Sequence, residues 1–200
     1  MKRLTVRHPI LAAILVTTCA AAPVLPQSPP GNPIPEGFKV SPMARASILV
    51  RDLEASLELY RDILGLRVRF EGEFADEAFN RILGTSGLTI RARILQSGDV
   101  VYGNVGLFQL GDDRSTVPAP AQGAAARTGD VALVFLTDDI DGIAARLAEA
   151  GYTVISPPMV LFEREGMEVQ AREMLFRDRD GVLVNLIQEG RAAGGAQPGG

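Results

Sequence analysis

Histidine and cysteine are almost missing from this chain. His8 and Cys19 stand alone, there is no tryptophan, and Lys2 and Lys39 are the only lysines beside a larger set of arginines. A single cysteine excludes a disulfide within the chain. A single histidine leaves little room for a nucleophile activated by imidazole. An excess of positive charge is missing too. The formal net charge is −4 at pH 7, which excludes the basic footprint of a nucleic-acid binder. No Gly-rich phosphate loop is present, because the glycines of 190–200 are followed by no helix. Beyond the first twenty-odd residues, no run is long and apolar enough to cross a bilayer.

Both scarce residues fall in one segment. Lys2, Arg3 and Arg7 form a positive start, Ile10 to Val16 is a short apolar run, and Cys19-Ala20-Ala21-Ala22 supplies small residues. Residues 1–22 read as a secretory signal peptide, cut after Ala21 or Ala22, with an uncut anchor as the alternative. Val16-Thr17-Thr18-Cys19 also resembles a lipoprotein signal, although Thr18 stands where Gly, Ala or Ser is usual. The reading predicts an exported protein, periplasmic or extracellular, with a lipid on Cys19 as the less favoured variant. Cleavage would leave a mature chain with neither imidazole nor thiol and a net charge of about −7.

Residues 23–41 hold Pro23, Pro26, Pro29, Pro30, Pro33 and Pro35 and read as a stiff linker. Residues 190–200, GRAAGGAQPGG, read as a disordered tail. Between them, 42–189, one arrangement occurs twice. LVRDLEASLELYRDILGL at 49–66 and LTDDIDGIAARLAEAGY at 136–152 each run from an apolar strand through an acidic turn and an amphipathic helix to a glycine. The acidic marks Asp52 and Asp139 lie 87 positions apart. A unit of this length used twice implies one domain made of two modules.

Module one, 42–111, opens with the alternating strand Ala44–Val50. Asp52 is placed to cap a helix whose buried stripe is Leu53, Leu57, Tyr60 and Leu64. Strands at Leu66–Phe74, Leu88–Gln96 and Val101–Leu110 follow, with a short helix within Asp76–Leu83. Residues 112–129 lack periodicity and read as a linker. Module two, 130–189, has strands Val131–Thr137, Tyr152–Ser156, Gln170–Arg177 and Val182–Gln188, a helix at Ile140–Ala150, a turn at Pro157-Pro158, and a DRDG turn at 178–181. The order is βαβββ, twice. Glu163, Glu165 and Glu168 form an acidic loop, either an exposed turn or a cover over a site.

LVRDLEASLELYRDILGL, together with MLFRDRDGVLVNLIQ at the end of module two, resembles the vicinal oxygen chelate superfamily of glyoxalase I, extradiol dioxygenases and bleomycin-resistance proteins. The resemblance covers about 42–189. It implies an α+β fold in which two βαβββ modules curl an eight-stranded sheet into a cup, with helices on the outer face. It also implies a divalent metal held by His and Glu at four positions. In this chain those positions read Arg45, Gly106, Ala132 and Asn185, with Asp130 in place of Ala132 if the strand is irregular. Imidazole- or thiolate-based sites for zinc, nickel, iron or copper have no ligands here, so the expectation is no metal and no other cofactor.

If the resemblance holds, strand alternation turns Arg45, Ser47 and Leu49, then Tyr102, Asn104 and Phe108, then Val134 and Leu136, then Leu183, Asn185 and Ile187 into the cup. The candidate ligand-binding residues are Arg45, Ser47, Tyr102, Asn104, Phe108 and Asn185. Arg45 suits a carboxylate or phosphate, or else an internal ion pair with Asp130 or another acid. Asn104 and Asn185 could orient a carbonyl or satisfy nearby backbone; Tyr102 and Phe108 could stack on a ring or pack in the core. Arg91 and Arg93 share a strand face and could extend a positive lining or be solvated. No carboxylate stands out on an inward face, so no catalytic residue is assigned. The expected function is metal-free binding of a small organic molecule, with an anionic one favoured. The alternatives are an enzyme with an atypical site and an interaction module with a filled pocket. No nucleic-acid partner is expected, the membrane is met only through the leader or a Cys19 lipid, and a homodimer stays open.

Overall fold

The computed structural model describes residues 34–112 and 123–192, the side chain of 192 excepted. The expected signal peptide, most of the Pro-rich linker, part of 112–129 and most of the tail lie outside the described residues. Module one comprises β1 (Arg45–Val50), α1 (Leu53–Leu57), β2 (Arg67–Phe74), α2 (Glu77–Leu83), β3 (Ile90–Gln96) and β4 (Asn104–Leu110). Module two comprises β5 (Ala132–Leu136), α3 (Ile140–Glu149), β6 (Val154–Val160), β7 (Met167–Val169), β8 (Arg172–Arg177) and β9 (Leu183–Gln188), with β10 (Arg191–Ala192) after it. The sheet orders are β1-β4-β3-β2 and β5-β9-β8-β6. In each module the first strand runs parallel to the last, β1 with β4 and β5 with β9. The repeat in the sequence is therefore a repeat in topology. The architecture is the expected α+β pair of βαβββ modules, its eight strands divided between two four-stranded sheets that do not close into one.

Local signals explain most of this. The Asp52 carboxylate accepts hydrogen bonds from the backbone N–H groups of Glu54 and Ala55, so the acidic turn caps α1 as its sequence predicts. Buried Gln109 assists from β4, its Oε1 accepting from Leu53 N–H at 2.9 Å. Asp139 caps α3 through the N–H of Gly142. One departure is informative. After Leu57 the helix continues as a π-helical turn, Glu58–Ile63, and Leu64 N–H reaches back to Leu59 C=O at 2.9 Å. The wider turn buries Leu59 and Tyr60 side by side, whereas regular helical spacing selects only Tyr60.

One core joins the two modules. Ile48, Val50, Val105 and Leu107 of the first sheet share it with Leu133, Met174, Phe176, Val184 and Leu186 of the second. Leu53, Leu57, Tyr60, Ile140, Ile143 and Leu147 of α1, its π turn and α3 complete it. The two most recognisable sequence segments meet here. Tyr60 Oη donates to Asp178 of the DRDG turn at 2.8 Å, with both residues buried. Arg51 pairs with Asp180 at 2.9 Å and also donates to Arg179 C=O. Arg179 pairs with Glu58 at 2.7 Å.

Three expectations need correction. The Pro157-Pro158 pair lies within β6 rather than in a turn. Proline has no N–H for a ladder, but β6 is an edge strand, and its register with β8 slips on both sides of Ser156. The tail is ordered at its start, where β10 pairs antiparallel with β7 and Arg191 meets Glu168 at 3.5 Å. Finally, α2 does not cover the helix-bearing face. Phe79 and Leu83 pack with Phe74, Ile90 and Phe108 on the opposite face of the first sheet.

Candidate functional site

Because β1 and β4 are parallel neighbours, the register sets Arg45 beside Asn104, Ser47 beside Gly106 and Leu49 beside Phe108. These residues alternate with core-facing Ile48, Val50, Val105 and Leu107, so they occupy the face of the first sheet away from α1. Arg45, Ser47 and Phe108 come together as a unit. The Arg45 Nε donates to Ser47 Oγ at 3.0 Å, and the guanidinium lies over the Phe108 ring, 5.2 Å from its centroid. Gly106 makes this possible. A Cβ there would stand 2.7 Å from Arg45 Cδ and 2.8 Å from Phe108 Cε2. Of the expected salt bridge to Asp130 there is no trace, because Asp130 is taken by Arg177 at 2.5 Å. That hydrogen bond, first among its causes, holds the Asp130 carboxyl below the ordinary range. No carboxylate of the described residues pairs with Arg45.

The other candidates separate. Asn104 is buried, and its Nδ2 donates to Ala44 C=O and Val101 C=O, while its Oδ1 has no partner. Tyr102 is not on the strand. β4 begins at Asn104, after Gly103 takes a φ of +71°, so alternation does not orient Tyr102. Asn185 is on the second sheet, beside Val134 and Leu175 in register. Its Nδ2 donates to Glu173 at 3.3 Å, and its Oδ1 is buried without a partner. Arg91 and Arg93 do not line the site. They alternate with the inward Ile90, Ala92 and Ile94 and pair with Asp112 and Glu71.

On the second sheet, the face away from α3 borders a cavity of about 950 Å³. Leu136, Ile187 and Glu173 come from its strands, Leu161, Phe162 and Arg164 from the loop before β7, and Met167 from β7 itself. The acidic loop thus borders a cavity, but through Leu161, Phe162 and Arg164; Glu163, Glu165 and Glu168 do not line it. Glu173 is the inward carboxylate that sequence reasoning missed. Its signal was the alternation with buried Met174 and Phe176, which places Glu173 and Leu175 on the other face.

The four positions where the superfamily's metal ligands belong do not fit a metal. They offer a guanidinium, a hydrogen, a methyl group and an amide, and the space a Gly106 side chain would use is filled by Arg45. Among the described residues, no group of three or more His, Cys, Asp or Glu is placed to hold an ion.

Residues 43–186 match the family model described as the Glyoxalase/Bleomycin resistance protein/Dioxygenase superfamily. A search of curated proteins finds no match. Among solved structures, a glyoxalase family protein from Bacillus cereus is 20% identical, with 77% of this chain and 97% of that one covered and a TM-score of 0.57. A glyoxalase/dioxygenase from Nostoc punctiforme is 19% identical over 80% of this chain and 98% of that one, with a TM-score of 0.50. A glyoxylase/bleomycin resistance protein/dioxygenase domain from Frankia sp. EAN1pec is 20% identical over 75% and 98%, again with a TM-score of 0.50. At these identities the solved structures carry the fold alone. With the family model spanning most of its length, the chain belongs to the Glyoxalase/Bleomycin resistance protein/Dioxygenase superfamily.

Proposed function

We propose that this protein binds a small organic anion on the open face of its first sheet, with the Arg45 guanidinium serving where relatives use a metal ion. One observation carries the reading. Arg45 is fixed by Ser47 and Phe108, lies across Gly106, and keeps both terminal nitrogens clear of any acid of the described residues. Most arginines of the described residues are paired with acids, as in Arg51–Asp180, Arg93–Glu71 and Arg177–Asp130. A pre-positioned guanidinium with open donors takes a carboxylate or phosphate by two parallel hydrogen bonds. Leu49, 54% exposed, offers apolar contact beside it. If the leader is cleaved as its sequence suggests, the ligand is met outside the cytoplasm.

The test is calorimetric titration with 1-naphthoate, an aromatic carboxylate. Saturable binding is expected, weakened about tenfold by Arg45→Ala, equivalent to about 1.4 kcal/mol. Equal affinity in the two proteins would remove Arg45 from the site. A second reading, an interaction module, draws on α2, which fills the β2–β3 half of this face. It gains if no small anion saturates the protein while Leu49→Asp abolishes self-association in sedimentation.

A further inference from the structure

We propose a second binding site, on the open face of the second sheet, for an apolar organic cation: a protonated amine attached to aromatic or hydrocarbon bulk. The inference does not rest on Arg45. Its first support is space, since about 950 Å³ accommodates a molecule of several rings. Its second is the wall. Phe162 and Leu136 are 74% and 66% exposed, and Leu161, Met167 and Ile187 continue the same apolar lining. A ligand covering them removes apolar surface from water.

The sign of charge at the floor selects the ligand. Glu173 projects from β8 into the cavity with no arginine or lysine of the described residues in ion-pair distance. Its neighbour Arg172 is committed to Asp141 of α3 by two hydrogen bonds, of 2.6 and 2.8 Å. Asn185, behind the lining, holds the Glu173 carboxylate in place through its Nδ2 at 3.3 Å. Glu173 is thus a carboxylate on the sheet side of the cavity, and it calls for an occupant that brings N–H groups and positive charge. Among the remaining charged lining residues acids prevail: Asp138 and Glu189 are acidic, Arg191 is paired with Glu168, and the exposed Arg164 is the one cation there with no acid partner among the described residues. The two modules thus present opposite charges on equivalent faces, Arg45 on the first and Glu173 on the second.

The test is titration of the full chain at low salt with 1-naphthylmethylamine, followed by fluorescence. The expected result is one saturable site, with affinity reduced about tenfold by Glu173→Gln and several-fold by Phe162→Ala, and unchanged by Arg45→Ala. Phe162 is largely exposed, so its replacement leaves folding intact even if Glu173→Gln does not fold. Amine binding indifferent to both substitutions, or no saturable binding, would overturn the proposal. Naphthoate binding that Glu173→Gln spares keeps this outcome separate from that of the Arg45 site.

Discussion

The contact most open to measurement is the one between Tyr60 and Asp178, because it ties α1's π turn to the β8–β9 turn through two buried side chains. Tyr60 is 0% and Asp178 2% exposed. The Asp178 carboxylate accepts from Tyr60 Oη at 2.8 Å and from the backbone N–H groups of Asp180 and Val182 at 2.9 and 2.8 Å. Tyr60→Phe removes one of three donors to a carboxylate that water cannot reach. A hydrogen bond to a charged group contributes about 1.5–3 kcal/mol, so the substitution should cost about 2 kcal/mol at pH 7. For a chain of this size, that lowers Tm by roughly 4–8 °C. The pH dependence adds a second reading. Burial, foremost among the causes, raises the Asp178 pKa above its ordinary value, and the Tyr60 hydrogen bond opposes the rise. A carboxyl with a raised folded pKa leaves its stabilising contribution intact below the unfolded value of about 3.9 and loses it as pH climbs through the folded value. Without the Tyr60 hydroxyl, the folded value rises further and the loss extends to higher pH. Tyr60's own pKa is raised well above 10 by burial and by Asp178, so the hydroxyl remains a donor throughout. Urea denaturation of both proteins at pH 3.5 and pH 7 should show a difference near 1 kcal/mol at the lower pH, where the bond is between neutral groups, and near 2 kcal/mol at the higher. A cost below about 0.5 kcal/mol at pH 7, or one independent of pH, would refute the assignment of Tyr60 as the donor that holds this buried charge.

Two further substitutions follow from the geometry. Gly106→Ala puts a methyl group 2.7 Å from Arg45 Cδ; since that contact is with a movable side chain, the stability cost should be about 1 kcal/mol, while naphthoate affinity falls as far as in Arg45→Ala, as calorimetry would show. Asp52→Ala removes the acceptor for two N–H groups at the start of α1 and should cost about 1 kcal/mol in urea denaturation, with no change in binding.

The repeat, the capping aspartates and the strand alternation were legible because each is a local property. Asp52 and Asp139 act as caps from their own turns, and inward Arg45, Ser47 and Phe108 follow from a period of two. Tyr102 escaped the alternation because Gly103, at positive φ, delays the start of β4 to Asn104. Pro157-Pro158 reads as a turn until the sheet order makes β6 an edge, where missing N–H groups cost little. The partner of Arg45 was not legible at all. Which acid reaches which arginine depends on how the sheets stack, and Arg177 took Asp130 from 47 positions away. Gly106 looked like a lost ligand; only the packed side chains display it as the room into which Arg45 fits.

The central claim, that a guanidinium holds the ligand's anion in place of a metal, is tested most directly by titrating naphthoate before and after exhaustive treatment with a chelator. The account predicts the same dissociation constant in both titrations. Binding that vanishes with the chelator and returns with added zinc or nickel would contradict it.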